Sequence, residues 1–264
     1  MSFEIRNINH SDEDRFEMSD DNFLSDKYKA MYDLYYDENA RVAEKRAIAA
    51  VDVFSHLCDV LGSRKFDSVL DVGAGEGSLL AIMQAEEFGS RLYACEISAS
   101  GLEAIRSRQL TRLVDIHLFD GYRIPYPDKH FDLVTCCHVL EHVEHERLLL
   151  AELKRVAKHI ALEVPLENGI RLERSLERNV DAMDPFGHIN FYNRTTFVNL
   201  LRTAGVRPTK WKVATSSIRY EQHLYGKSKG LVKNLVRRGA LAVVPRMAQL
   251  FFIYVLTVYC ECDA

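Results

Sequence analysis

No long run of Lys and Arg stands out in the 264 residues, and the formal net charge is −4. A nucleic-acid binder that depends on bulk electrostatics carries the opposite sign, so nucleic acid is not the favoured partner. The six cysteines lack zinc-ribbon spacing. Cys136 and Cys137 are adjacent inside an apolar run, as buried thiols are, and no secretory leader follows Met1. Together these predict a reducing, cytoplasmic setting. No internal repeat is visible, which argues against a solenoid or propeller. What is there is an ordinary share of apolar (47%) and charged (27%) residues, enough for one large domain or one domain with a sizeable insertion.

The chain is organised around residues 66–77, FDSVLDVGAGEG. Val69, Leu70 and Val72 form an apolar, β-branched strand, and Gly73, Gly75 and Gly77 follow at every second position. Glycine lets a ligand lie directly against the backbone, and the helix that opens at Ser78 points free N–H groups over the loop, as an adenosine-type ligand with a charged end requires. The spacing is G-x-G-x-G rather than the dinucleotide G-x-G-x-x-G, with Asp71 two residues before the first glycine. The competing reading is a purely structural strand-to-helix turn.

D-V-G-A-G-E-G resembles motif I of the class I S-adenosylmethionine (SAM) dependent methyltransferases, of the small-molecule group. The resemblance implies that Asp71 and the loop of Gly73, Gly75 and Gly77 hold the methionine end of SAM. A second strand, 91–97, ends at Glu96 and Ile97. An acid there suits the two ribose hydroxyls, and Ser98 is placed to cap the next helix. A third strand ends at Asp120. In the GYRIPYPDKHFDLV segment that follows, the family pattern implies that Asp120 reaches the adenine amino group, with Gly121 and Tyr122 against the ring. The fourth strand, 131–137, ends at Cys137. Strands and helices alternate through 164, which predicts an α/β fold with a parallel, doubly wound sheet; the resemblance implies a Rossmann-like, seven-stranded, mostly parallel sheet with helices on both faces. By the resemblance, the seventh strand (251–260) is antiparallel and enters between five and six. The ligand belongs at the carboxyl ends of the strands, where Gly73, Glu96, Asp120 and Cys137 fall.

Four outlying segments complete the expected organisation. Residues 1–26 form an acidic flexible arm, and 27–62 form a helical lid in which Tyr28, Tyr32 and Tyr36 are substrate candidates. The methyltransferase domain, 63–264, then carries insertions at about 166–193 and 220–247. The second insertion reads as a basic amphipathic helical hairpin. Packing on its own domain is favoured over contact with an anionic membrane surface, an acidic partner or a second copy in a homodimer.

Methyl transfer from a sulfonium needs in-line approach, exclusion of water and, for a hydroxyl acceptor, a base. His138, His142, His145 and His188 are candidates, and the resemblance places His142 and His188 nearest the methyl as the catalytic pair. His138, Glu141 and His142 stand at i, i+3 and i+4, so on a helical turn they share one face. With His188 they form a candidate divalent-metal site, similar to the E-x-x-E-H segment of the small-RNA 3′-terminal 2′-O-methyltransferases. His138 in place of the first Glu favours a softer ion than magnesium. The alternative is local hydrogen bonding without metal. The function expected is SAM-dependent methyl transfer to an O or N atom of a small molecule such as a sugar, phenol or secondary metabolite. The alternatives are a metal-dependent 2′-O-methyltransferase on RNA ends and a non-catalytic SAM-binding partner subunit.

Overall fold

A computed structural model describes residues 40–167, 169–170 and 187–262. The expected acidic arm, Tyr28, Tyr32 and Tyr36, and residues 168 and 171–186 of the first insertion lie outside the described residues.

The first described helix, α1 (Ala40–Leu61), buries Val53, Leu57, Val60 and Leu61, apolar residues spaced by three and four as one helix face requires. It stops at Gly62, whose N–H donates to the Cys58 carbonyl at 2.8 Å. Strand and helix then alternate: β1 (Ser68–Val72), α2 (Ser78–Ala85), β2 (Arg91–Glu96), α3 (Ala99–Ser107), β3 (Leu113–Leu118), β4 (Phe131–Cys137), α4 (Glu146–Val156) and β5 (Ala157–Leu166). Ser98 caps α3 as expected, its Oγ accepting from the Gly101 N–H at 3.2 Å. After the first insertion come α5 (Arg194–Thr203), β6 (Arg207–Ala214), α6 (Ile218–Tyr225), α7 (Lys227–Val243), α8 (Pro245–Phe251) and β7 (Tyr254–Glu261).

The seven strands lie in the order β3-β2-β1-β4-β5-β7-β6, and β7 runs antiparallel to both neighbours. Side chains alternate across the sheet with period two. Leu70 and Val72 enter a core with Val134, Leu162 and the α4 leucines. Val69 enters a second core with Leu133, Leu57 and Leu80. Covered on both faces, β1 is buried along its whole length, as parallel strands are. Truncating Leu70 to Ala there costs about 2–5 kcal/mol. Because β1, β2 and β4 are parallel, the residues just after them gather along one edge of the sheet.

The second insertion is the helical hairpin read from the sequence, with α6 and α7 turning at Gly226. The two helices cross closely: a Cβ on Gly230 would lie 2.5 Å from the Gln222 backbone. The hairpin docks on the domain through polar groups. Arg237 pairs with buried Glu221 and donates to the Ile253 carbonyl. Asn234 Nδ2 donates to the Ser216 carbonyl at 2.6 Å, and the Tyr254 hydroxyl donates to the Arg237 carbonyl at 2.9 Å. No helix among the described residues is long and apolar enough to cross a membrane.

Candidate active site

The turn after β1 is the tightest constraint in the site. Gly73 has φ 73°, and a Cβ there would lie 2.4 Å from Val139 Cγ2. Only glycine combines that backbone with that approach. Its N–H donates to the Cys95 carbonyl at 2.8 Å, tying the loop to the end of β2. The Glu96 carboxylate, itself buried, accepts from the Gly75 N–H at 2.8 Å and the Ser98 N–H at 3.1 Å. Two amides thus fix its plane.

A cavity of about 660 Å³ opens along this edge, and its wall includes Gly73, Glu96, Ile97 and Gly121. Five other expected cofactor residues, Asp71, Gly75, Gly77, Asp120 and Cys137, do not reach that wall. Asp71 is buried beneath the loop and accepts from the Thr135 hydroxyl at 2.7 Å. Burial, reinforced by the Glu96 charge and only partly offset by the Thr135 hydrogen bond, raises its pKa to about 7. Gly75 and Gly77 shape the turn. Cys137 packs against the core on the α1 side, since the strand's alternation turns it from the cavity. Asp120 also stands outside the wall: its Oδ1 accepts from the Tyr122 and Arg123 N–H groups at 2.8 and 2.7 Å and so shapes the bend that brings Phe119, Gly121 and Tyr122 to the cavity.

The histidines divide into two sets. The sequence spacing puts His138, Glu141 and His142 on one face of a helical turn, but the structure separates them. Only Leu140–His142 form a 3₁₀ turn, while His138 precedes it with φ 56°. That left-handed residue swings its ring between two carboxylates, with Nδ1 3.2 Å from Glu141 Oε1 and Nε2 3.2 Å from Glu163 Oε1. Burial opposes protonation, but the two hydrogen bonds and the two negative charges outweigh it and raise the His138 pKa to about 10. The side chain is 40% exposed, so water screens part of that field, yet His138 is a cation at neutral pH. An imidazolium has no lone pair for a metal or an acceptor proton.

Glu141, His142 and His188, by contrast, bring one potential ligand atom each within 4.8 Å of one another. His142 Nδ1 donates to the Gly187 carbonyl at 3.2 Å, and His188 Nδ1 donates to Glu167 Oε2 at 2.6 Å. In each ring Nε2 is therefore the basic nitrogen. Burial lowers the His142 pKa despite the nearby Glu141 charge, so this ring is neutral at physiological pH. Glu141 is fully buried, yet its pKa is lowered: His138 overcomes the burial penalty. Among the described residues, Glu141 Oε2 has no hydrogen-bond partner. His145 donates its backbone N–H to the Tyr122 hydroxyl at 3.1 Å and sets its ring against the Tyr122 ring, 6.1 Å between centroids.

Sequence reasoning missed the far side of this network. Buried Glu163 accepts from His56 at 3.0 Å and from the Thr257 hydroxyl at 2.6 Å. Burial alone would raise its pKa, but His138 and His56 bring it down to about 2. An acid inside the apolar run of β5 was the available signal, because a buried charge demands partners. Lys45, Arg46 and His56 from α1, and Tyr220, Tyr225 and Lys233 from the hairpin, complete the cavity.

The sequence profile of the family described as "Methyltransferase domain" matches residues 36–210. Among curated proteins, the ubiquinone/menaquinone biosynthesis C-methyltransferase UbiE of Cupriavidus necator is 37% identical over 101 residues, 37% of this chain and 41% of that protein. UbiE of Cupriavidus metallidurans is 32% identical over 139 residues, 51% of this chain and 53% of that protein. The matches thus span about two-fifths to half the length of these relatives. Among solved structures, geranyl diphosphate C-methyltransferase from Streptomyces coelicolor A3(2) superposes with a TM-score of 0.62 over 89% of this chain and 98% of that one, at 13% identity. A SAM dependent methyltransferase from Aquifex aeolicus gives 0.52 over 91% and 100%, at 18% identity. At those identities the likeness shows the fold. With a profile match over more than half its length, on this strand order and this glycine loop, the chain belongs to the methyltransferase-domain family, the class I methyltransferases that use SAM.

Proposed function

We propose that the cavity binds SAM beside a small organic acceptor and that His142 and His188 serve the transfer. The observation that carries this reading is one shared cavity wall holding Gly73, Glu96, Ile97 and Gly121 together with His142 and His188. In this reading the loop of Gly73, Gly75 and Gly77 lies under the methionine end. Glu96 accepts from the ribose hydroxyls, and Ile97 and Gly121 flank the adenine. Asp71, Asp120 and Cys137 support these groups from behind.

The acceptor is a hydroxyl compound, such as a phenol. Its oxygen attacks the methyl carbon as the carbon–sulfur bond breaks and the electron pair returns to sulfur. The hydroxyl proton passes to Nε2 of His142, whose neutral imidazole is a competent base near pH 7, with the His188 ring 4.7 Å away. Glu167 holds the His188 ring in place. S-adenosylhomocysteine and the methyl ether leave. A second reading is favoured by the relatives, whose names describe C-methyltransferases: the same deprotonation makes a phenolate whose ring carbon takes the methyl and then releases its own hydrogen as a proton to the solvent, restoring the ring. Methyl-¹³C SAM offered with a panel of phenols, followed by NMR of the product methyl, separates O–CH₃ from C–CH₃. No labelled product from any phenol, sugar or amine would refute small-molecule transfer.

The donor set of Glu141, His142 and His188 also fits a divalent cation. Glu141 is ionised with one buried oxygen unpartnered, and a hydrogen-bonded carboxylate orients His188 as a ligand-supporting group does. Two imidazoles and one carboxylate suit zinc, iron or manganese. When bound, such an ion would lower the pKa of an acceptor hydroxyl. Elemental analysis of the purified protein, with and without His188→Ala, tests the site: metal at equal content in both refutes it.

A further inference from the structure

The hairpin is folded inside out. On α7 the buried residues are Gly230, Asn234 and Arg237, while Leu231, Val232, Leu235, Val236 and Val243 face solvent. Val232 is 60% exposed, Leu235 56% and Val243 79%. α8 and its end continue the pattern with Met247, Leu250 and Phe251 exposed. At about 100° per residue, the outward aliphatics of α7 sweep an arc of roughly 140°. Lys227 and Arg238 border one side of that arc, and Lys229 and Lys233 border the other. Between Glu221 and Glu261 the sequence contains six Lys or Arg and no Asp or Glu, in a chain whose net charge is −4. The segment also lies beyond the family match, which ends at 210.

An apolar patch of this kind marks a contact surface, and its rim decides the contact. A protein groove or a second copy of this chain would meet four exposed cations, Lys227, Lys229, Arg238 and Arg246, with no acid alongside to pair with its own bases. RNA would be met by valines at the centre of the face, where phosphate contacts need cations. A bilayer rich in anionic lipid satisfies both parts: aliphatics enter the acyl boundary, and the flanking cations reach the headgroups. The helices are too short and too charged to span.

We propose that α6–α8 is an interfacial anchor that lays this face on an anionic lipid surface. Leu224 and Tyr225 are at once exposed and part of the cavity wall, so the anchor sets the cavity mouth at the lipid boundary. The inference is independent of the acceptor reading, because its test measures no turnover. Full-length protein is floated with vesicles of phosphatidylcholine alone or containing about 30% phosphatidylglycerol. Binding is expected to rise about tenfold with the anionic lipid and to disappear in about 0.5 M salt. The double variant Val232→Asp, Val236→Asp should lose it at an unchanged melting temperature, whereas Val114→Asp, an exposed apolar site on β3, should retain it. Three outcomes overturn the proposal. They are no difference between the two vesicles, a micromolar dimer in sedimentation that the double variant dissolves, and retention on RNA without vesicle binding.

Discussion

The sheet around β1 and β5 and the hairpin of α6–α8 obey opposite rules. In the sheet, aliphatic side chains go inward and two of the few charged groups that follow them, Glu163 and Glu141, are held by histidines. In the hairpin, Glu221, Asn234 and Arg237 go inward and the outer aliphatics of α7, Leu231, Val232, Leu235, Val236 and Val243, go out, while Ala240, Leu241 and Ala248 pack on the core. The first region is stabilised by apolar burial. The second is positioned by a few buried polar contacts and leaves its apolar area available. The difference teaches that one chain can use the same amphipathic pattern for a core and for a surface.

The sharpest way to break the comparison is Glu163→Gln. It leaves the His138 cation and His56 without their shared carboxylate, and unfolding free energy should fall by about 3–5 kcal/mol in a denaturant melt. In the parent protein this contribution is present above the ordinary Glu pKa and is lost as pH falls towards about 2. Asp71 runs the other way. Its folded pKa of about 7 lies above its unfolded value, so the unfolded state sheds its proton first. Stability therefore declines as pH rises from about 4 to 7, by up to about 4 kcal/mol. Asp71→Asn should flatten that slope in melts run across pH, and an unchanged slope would refute a raised pKa. Glu96→Ala should weaken SAM binding about 100-fold by calorimetry, since it removes two charge-assisted hydrogen bonds. His188→Ala should leave SAM affinity intact and slow turnover about 10²-fold. The parent rate should drop as pH falls below 6.5, where His142 takes up its proton. Least affected is the hairpin surface: Leu235→Ser should change stability by less than about 0.5 kcal/mol, because Leu235 is largely exposed.

Much of this was legible beforehand. The β-α alternation, the Gly73 turn and the acid at Glu96 follow from local pattern, because strand period, turn chemistry and strand ends are written within a few residues of one another. His142 and His188 were singled out and do meet, although 45 residues separate them from each other. His138 went astray because i, i+3, i+4 spacing assumes a helical turn, and a left-handed backbone at that residue breaks the assumption. Cys137 and Asp120 went astray by one position: strand alternation and a side-chain-capped bend turn their neighbours, not them, to the cavity.

By itself, the sequence determined the sheet, its strand order through the family pattern, and the loop on which a nucleoside can lie, since these depend on periodicity and on residues without a Cβ. Only the tertiary structure decided which histidine stays charged and which way α7 faces. Both outcomes turn on groups distant in the chain, Glu163 on β5 for His138 and Glu221 with the Ile253 carbonyl for Arg237. A buried charge goes wherever its partner is, and no local pattern records where that will be.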